Sequence, residues 1–108
     1  IPYTVAMDLL LTGRHVSAQE AKEVGLIGHV VPDGSALTKA MELAEMIAAN
    51  APLSVEAVLA SVAHSEGLSE VDGLAAELNF GWPIFATEDS KEGMLAFAEK
   101  RKPNFQKK

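Results

Sequence analysis

Cysteine is absent from the sequence, which excludes disulfide bonds and thiolate metal ligands at every position. Aromatic residues are scarce, at 6% of the chain, whereas hydrophobic residues together make up 48%. No apolar run approaches the roughly 20 residues that a helix needs to cross a bilayer, and no secretory signal pattern opens the chain. Alanine and leucine are abundant and favour helix over sheet. We therefore expect a soluble, mainly α chain without a membrane partner, located in the cytoplasm or, in a eukaryote, in an organelle matrix.

The length of the chain, 108 residues, fits one small domain. No internal repeat, low-complexity tract or long linker divides it, so we expect residues 1–108 to form a single helical region. The sequence begins at Ile1 rather than at methionine, from which we expect a piece of a longer protein.

Charge is distributed unevenly along the sequence. From Lys91 to the end, six basic residues stand against two acidic ones, a local charge of +4. The residues before Lys91 carry three basic against thirteen acidic side chains, a charge of −10, and the two parts together give −6. A basic end on an acidic body suggests an anionic partner near the C-terminus.

Apolar residues at helical spacing, together with cap signals, predict six helices. They cover residues 3–12, a short stretch between Ser17 and Gly25, residues 36–50, residues 53–64, a stretch from Ser69 to Trp82, and a terminal helix capped by Thr87 or Asp89. Ser17 and Glu20 form a capping-box pattern, in which the hydroxyl accepts the N–H three residues on. Pro83 and Pro103 are expected to end the last two helices, because proline interrupts a helix interior.

Residues 26–31, Leu-Ile-Gly-His-Val-Val, contain β-branched side chains and precede the turn signal Pro32-Asp-Gly34. This pattern predicts at most one short extended segment, near residues 28–31, which could be an edge strand of a larger sheet. The expected fold class is therefore mainly α with this single exception.

Few residues have the spacing of a metal or acid–base site. The three histidines, His15, His29 and His64, lack the i, i+4 pairing of metal ligands, so surface or partly packed histidine is the favoured interpretation. Carboxylates at i, i+3 occur at Glu20 with Glu23 and at Glu42 with Glu45. A general acid and base could have that spacing. Both pairs lie opposite apolar stripes, however, which favours solvated helix faces.

Nucleophilic and phosphate-binding motifs are also missing. None of Ser17, Ser54 and Ser61 stands in a Gly-x-Ser-x-Gly turn, and no histidine or acid is tied to them by local sequence. Gly25 and Gly28 do not form a phosphate-binding glycine fingerprint. The sequence therefore predicts no catalytic and no metal-binding residue within the chain.

On the terminal helix, Met94, Phe97, Ala98 and Arg101 share one face, and Lys100 follows Phe97 by one turn. An aromatic ring beside ammonium groups suits a nucleotide, because the ring can pack on a base while lysine neutralises phosphate. The alternative is that Phe97 is a core residue and the lysines complement the helix dipole. The residue pattern alone favours this alternative, since cations are expected at any helix C-terminus.

Three stretches form ordered motifs along the chain. They are Leu10–Pro32, LLTGRHVSAQEAKEVGLIGHVVP; the pair Ala51-Pro52 after an alanine-rich helix; and Phe85–Phe105, FATEDSKEGMLAFAEKRKPNF. They resemble the C-terminal part of the enoyl-CoA hydratase/isomerase (crotonase) family. The resemblance covers essentially the whole chain, and the first and last motifs are long and specific.

The resemblance implies a division of labour within a larger enzyme. In the family, an N-terminal core of repeated ββα units carries the oxyanion-hole N–H groups and the glutamates that manage water and protons. Residues 1–108 would then be a fragment without that core, inactive alone, from an enzyme most similar to hydratases of 2-enoyl-CoA. No residue here would be the general acid or base, and acyl-CoA would be a substrate, with no covalently bound cofactor.

The resemblance further implies that these helices build a homo-oligomeric contact, trimer-based in the family, and that the last helix forms a lid over an active site. The family's aromatic and lysine at the CoA nucleotide, carried onto this sequence, are Phe97 and Lys100. In one departure, many members carry a lysine in the helix after Ala-Pro, whereas residues 53–61 have none, with Leu59 near that place. Any contact of that lysine is therefore in doubt here.

Two other functions compete with this interpretation. A free-standing helical module that assembles with itself or a partner is supported by several amphipathic helices and the large apolar share. Nucleic-acid binding through Lys100 to Lys108 is less favoured, because the body is acidic and only Phe105 interleaves the basic cluster. We therefore expect no nucleic-acid partner.

Overall fold

A computed structural model describes all residues from 1 to 108. They form six α-helices and one 3₁₀ helix, and no β-strand. The α-helices are α1 (Tyr3–Thr12), α2 (Ala18–Glu23), α3 (Ala36–Ala48), α4 (Pro52–Ser65), α5 (Glu70–Gly81) and α6 (Glu88–Glu99), and the 3₁₀ helix covers Trp82–Ala86. The mainly α fold class is confirmed.

Residues 28–31 do not form the extended strand that their β-branched side chains suggested. They lie outside every helix, but no second segment of the chain pairs with them as a strand. A strand is stabilised by the hydrogen bonds and packing of a neighbouring strand, so β propensity alone leaves this segment irregular.

Side-chain caps define where helices begin. The Ser17 hydroxyl accepts a hydrogen bond from Glu20 N at 3.1 Å, which confirms the predicted cap of α2. Of the two residues predicted to cap the last helix, Thr87 does so, and its Oγ1 accepts from Ser90 N at 3.0 Å. Each hydroxyl satisfies one of the N–H groups that the first turn of a helix leaves unpaired.

The prediction that the fifth helix ends at Pro83 is confirmed, since α5 ends at Gly81. The chain passes from α5 directly into the 3₁₀ helix, and Pro83 lies in the first turn of that helix. Proline is tolerated there because the first turn has no acceptor for the N–H that proline lacks. The 3₁₀ helix carries the exposed side chains of Trp82 and Phe85, whose ring centroids lie 5.8 Å apart in an edge-to-face arrangement.

The chain divides into two compact units, residues 1–41 and residues 42–108. In the first unit, Arg14 lies between α1 and α2 and binds a carboxylate of each. Its Nε is 2.6 Å from Asp8 Oδ2, and its Nη2 is 2.6 Å from Glu20 Oε1. The hydrogen bond from Arg14 is the main cause of a lowered pKa at Glu20. Arg14 therefore joins the end of α1 to the first turn of α2.

In the second unit, α4 packs against α5, and the 3₁₀ helix contacts both. His64 of α4 lies against Phe80 of α5, with ring centroids 5.6 Å apart. Few residues are buried: Ser61, Asp89 and Ala96 in this unit and Ala21 in the first. No large side chain is completely covered. The helices are thus held mainly by local contacts.

Large apolar side chains on the helices of the second unit face outward. Those more than half exposed on α4, α5 and α6 include Val58, Leu59, Val62, Val71, Leu74, Leu78, Met94 and Leu95. Removal of apolar surface from water is the dominant favourable contribution to folding and association. These faces are therefore where contact with another polypeptide would stabilise the helices most.

No single helix is both long enough and apolar enough to span a membrane. Only α3 and α4 taken together meet criteria of length and hydropathy, and the pair is bent by 106° at the break between them. Helix α1 is apolar but has only 10 residues.

Gly67, which precedes α5, and Gly81, its last residue, provide a matched test of the backbone. Gly67 has a φ of +82°, which is left-handed, whereas Gly81 has a φ of −80°. A Cβ added at either position would meet nothing within 4 Å, so only the backbone distinguishes them. We expect Gly67→Ala to lower the free energy of unfolding by about 1–2 kcal/mol and Gly81→Ala to raise it by up to about 1 kcal/mol. Urea denaturation measures both changes, and equal effects would contradict this geometry.

Candidate functional site

The two residues assigned to nucleotide binding by resemblance lie together at the C-terminal end of α6. Phe97 is in the last turn, and the N–H of Lys100 donates to Phe97 O at 3.2 Å. Both side chains are exposed, Phe97 by 87%. The helix ends at Glu99, before the end predicted at Pro103, because Lys100 has a left-handed backbone with φ 54° and ψ 39°.

Phe97 therefore packs into no core formed by residues 1–108. The buried face of α6 is formed instead by Asp89, 2% exposed, and Ala96, 1% exposed. On this face the ring of Phe105 lies over Gly93, with its Cε1 3.6 Å from the position that a Cβ of Gly93 would occupy. The glycine within the helix is the sequence signal that could have indicated this packing, because it leaves room for the ring.

Half of the six basic residues in the terminal stretch are engaged within the chain. Ion pairs at N–O distances of 2.6 or 2.7 Å join Lys91 to Glu88, Arg101 to Glu92 and Lys107 to Glu56. The remaining three, Lys100, Lys102 and Lys108, are exposed and form no ion pair. The ammonium group of Lys100 is therefore available to an anion, and its residue follows the exposed Phe97 by three positions.

Arg101 binds two carboxylates of α6. Its Nη1 and Nη2 donate to the two oxygens of Glu92 at 2.6 and 2.9 Å, and its Nε donates to Glu99 at 2.6 Å. The pKa of Glu92 falls from its ordinary 4.5 to about 2, chiefly through Arg101 and next through a hydrogen bond from Asn104 N. Glu92 is therefore ionised at neutral pH and unsuited to donate a proton.

The carboxylates spaced as acid–base pairs in the sequence have surface roles. Glu20 binds Arg14, and Glu23 accepts a hydrogen bond from Gln19 Nε2 at 3.1 Å. Glu42 and Glu45 occupy exposed positions of α3. No group of three histidine, aspartate or glutamate side chains could hold a metal ion. The end of the terminal helix is thus the part of the chain where an exposed aromatic residue and an exposed lysine, which together suit a nucleotide, are close in sequence.

A groove between α4, α5 and the 3₁₀ helix was not anticipated from the sequence. Its volume is about 280 Å³, and Glu77 is the only charged residue among mainly apolar lining side chains. Ser54, Ala57 and Ser61 line its α4 side. These small residues recur at helical spacing, which is the signal that could have indicated space between α4 and its neighbours.

All of the chain, residues 1–108, matches the sequence profile described as enoyl-CoA hydratase/isomerase. An enoyl-CoA hydratase of Mycobacterium tuberculosis is 59% identical over 106 residues, which cover 98% of this chain and 40% of that protein. A mitochondrial enoyl-CoA hydratase of Pongo abelii is 38% identical over 102 residues, which cover 94% of this chain and 35% of that protein. The chain therefore spans less than half the length of these relatives.

Solved structures contain a similar arrangement of helices. The crystal structure of an enoyl-CoA hydratase from Mycobacterium tuberculosis matches with a TM-score of 0.93 and 41% identity, over 100% of this chain and 43% of that chain. The crystal structure of an enoyl-CoA hydratase from Mycobacterium marinum matches with a TM-score of 0.92 and 42% identity, again over 100% of this chain and 43% of that chain.

The lowered pKa of Glu92 predicts a loss of stability in acid. Its folded-state pKa of about 2 lies below the ordinary 4.5, so its contribution is complete above about pH 4.5 and declines as the pH falls toward 2. We expect Glu92→Gln to flatten the dependence of the melting temperature on pH in this window. Glu88→Gln, which removes an exposed carboxylate of the same helix, is the control and should leave the dependence in place. An unchanged profile in Glu92→Gln would argue against the Arg101 contact.

Proposed function

Because the chain belongs to the enoyl-CoA hydratase/isomerase family, we propose that it is the C-terminal helical part of an enzyme that hydrates 2-enoyl-CoA thioesters. The observation that carries this proposal is 59% identity over 106 residues to a protein named enoyl-CoA hydratase. In this reaction, water adds across the C2–C3 double bond, so that its oxygen bonds to C3 and a proton is placed on C2. Acyl-CoA is the substrate, and no covalently bound cofactor takes part.

The proposed chemistry belongs to the rest of the enzyme. Backbone N–H groups stabilise the enolate oxygen of the thioester, and glutamates position water and move its proton. We assign no catalytic residue within the chain. Glu20 and Glu92 are bound by arginines, and their lowered pKa values disfavour the protonated form that a general acid needs.

In the proposed enzyme, Phe97 and Lys100 contact the nucleotide part of CoA. The exposed ring of Phe97 offers a surface on which a base can stack. The unpaired ammonium of Lys100 is suited to a phosphate of CoA, because a lysine neutralises phosphate as a point charge. Their adjacency at the end of α6 supports a single shared subsite.

The proposed role of the other helices is assembly. Their exposed aliphatic side chains support a homo-oligomeric contact, trimer-based as in the family, and a lid formed by α6. The acidic body, with three cations among its first ninety residues, argues against a nucleic-acid partner. A cytoplasmic or organelle-matrix location is consistent with relatives that include mitochondrial hydratases.

The second candidate function is a free-standing helical interaction module without catalysis. The observation in its favour is the large exposed apolar surface, which a chain without further residues would cover by association. Sedimentation equilibrium of the 108-residue chain tests it, since a module of this kind associates as concentration rises. A monomer at all concentrations would exclude the module.

We expect Lys100→Glu in the intact protein to weaken CoA binding by about tenfold at low ionic strength and by less in high salt, because the charge reversal repels phosphate and salt screens it. Isothermal titration with CoA at two salt concentrations measures the effect. Phe97→Ala should weaken CoA binding at both salt concentrations, because stacking is not a charge interaction.

Lys102→Glu is the matched control, because Lys102 is also exposed and unpaired and its substitution makes the same change in net charge. If Lys102→Glu weakens CoA binding as much as Lys100→Glu does, general electrostatic attraction explains the result. An unchanged affinity in Lys100→Glu at low salt would remove Lys100 from the site.

We also expect the isolated 108-residue chain to have no hydratase activity. The reason is that, in the proposed enzyme, the N–H groups that stabilise the thioester oxyanion and the glutamates that handle water lie in the part outside residues 1–108. Loss of absorbance of the conjugated thioester in crotonyl-CoA measures turnover directly. Turnover that exceeds the rate in buffer, and that persists after the chain is purified again, would refute this expectation.

A further inference from the structure

The end of the chain turns back along α6. We call residues 104–108 the C-terminal strap. Asn104 N donates to Glu92 Oε1 at 2.7 Å, and the Phe105 ring lies over Gly93. Lys107 Nζ lies 2.6 Å from Glu56 Oε1 of α4. The strap therefore touches the first half of α6 and reaches a second helix, α4.

The most buried contact of the strap is with Asp89. Its Oδ1 accepts a hydrogen bond from Gln106 N at 2.7 Å, and its Oδ2 accepts one from Lys107 N at 2.8 Å. In return, Asp89 N donates to Lys108 O at 3.0 Å. The residue is 2% exposed, so water does not compete for these hydrogen bonds. The carboxylate of Asp89 therefore holds the strap by the backbone N–H groups of Gln106 and Lys107, not by their side chains.

The strap follows directly on a reversal of the chain that is unfavourable on its own. Lys100 has a φ of 54°, in the left-handed region that disfavours residues with a Cβ. Such conformations persist when the surrounding structure over-determines them. Here Arg101 N donates to Ala96 O at 3.0 Å, and the strap then holds the chain after the reversal on the face of α6.

We propose that Asp89 is a positioning residue for CoA binding. By anchoring the strap, it keeps the reversal at Lys100 closed, and so fixes the backbone from which the Lys100 side chain extends at the end of α6, three residues after Phe97. Asp89 itself does not touch the ligand. The part of this inference that concerns CoA rests on the proposed function, whereas the part that concerns the strap does not.

The contacts of the strap differ in strength for a physical reason. The Lys107–Glu56 pair is exposed on both sides, and exposed ion pairs contribute little. Asp89 and Glu92 are charged acceptors of backbone N–H groups, and such charge-assisted hydrogen bonds are the strong ones. Loss of Asp89 should therefore release the strap more than loss of Lys107 does.

The first experiment uses Asp89→Asn in the intact protein. The substitution keeps the shape of the side chain but places an NH₂ group opposite one of the two donating N–H groups, so only one hydrogen bond survives. We expect amide hydrogen exchange at Gln106 and Lys107 to accelerate by about tenfold or more, in line with the loss of a charged hydrogen bond. We expect the KM for an enoyl-CoA to rise by about threefold or more while kcat is unchanged, because a positioning residue affects binding rather than chemistry.

Glu88→Gln is the matched control, since Glu88 is the neighbouring acid in the same first turn and its only ion pair is with exposed Lys91. It should leave exchange and KM unchanged. A second variant ends the chain after Pro103 and so removes the strap altogether. It should raise KM at least as much as Asp89→Asn does.

The double variant separates action through the strap from a direct role of Asp89. If Asp89 acts through the strap, Asp89→Asn adds nothing to the KM of the truncated protein, and the two changes are fully coupled. If their effects on KM multiply, the proposed route is wrong. Unchanged exchange at Gln106 and Lys107 in Asp89→Asn would also overturn the proposal.

The two proposals fail in different ways. If Lys100→Glu leaves CoA affinity intact, the CoA contact is wrong, while accelerated exchange in Asp89→Asn would still establish the strap anchor. If Lys100→Glu weakens CoA binding but Asp89→Asn changes neither exchange nor KM, the contact stands and the positioning role is wrong.

Discussion

Burial of apolar helix faces is the constraint on which this chain depends. Its α-helices have 6 to 14 residues, and isolated helices shorter than about 12–15 residues are marginal in water. Ala21 and Ala96 are the only buried hydrophobic residues, so the chain supplies little of the burial that its helices need. The relatives it matches are more than twice as long, and in the proposed enzyme the remaining parts would cover these apolar faces.

Ion pairs and charged hydrogen bonds fix the arrangement of the terminal stretch, where few side chains are buried. The terminal stretch is basic in sequence, yet half of its cations are bound to carboxylates of α6 and α4. Arg101 and Asn104 together lower the pKa of Glu92, and Asp89 accepts two backbone N–H groups of the strap. The positive charge that remains exposed is consequently concentrated at a few lysines, of which Lys100 follows the exposed Phe97 by three positions.

Local sequence signals were sufficient to predict most helices and the N-terminal caps of α2 and α6. The α1 bounds, the Ser17 cap and the Thr87 cap follow from interactions within four residues of each other. The sequence was less informative where distant residues decide. The β-branched residues at positions 28–31 form no strand within residues 1–108, because no second segment there pairs with them. The strap joins Asp89 to residues 17 and 18 positions further along the chain. Gly93 was the only signal of this contact in the sequence.

By itself, the sequence determined the family, the mainly α fold class, and the presence of an aromatic and a lysine near the C-terminus, since long motifs and helical periodicity are properties of the chain order. Only the tertiary structure decided which residues of α6 are covered. Phe97 is exposed, and Asp89 and Ala96 are buried, because the strap folds back onto one face of the helix. Periodicity identifies the faces of a helix, but it cannot identify which face a distant segment will contact.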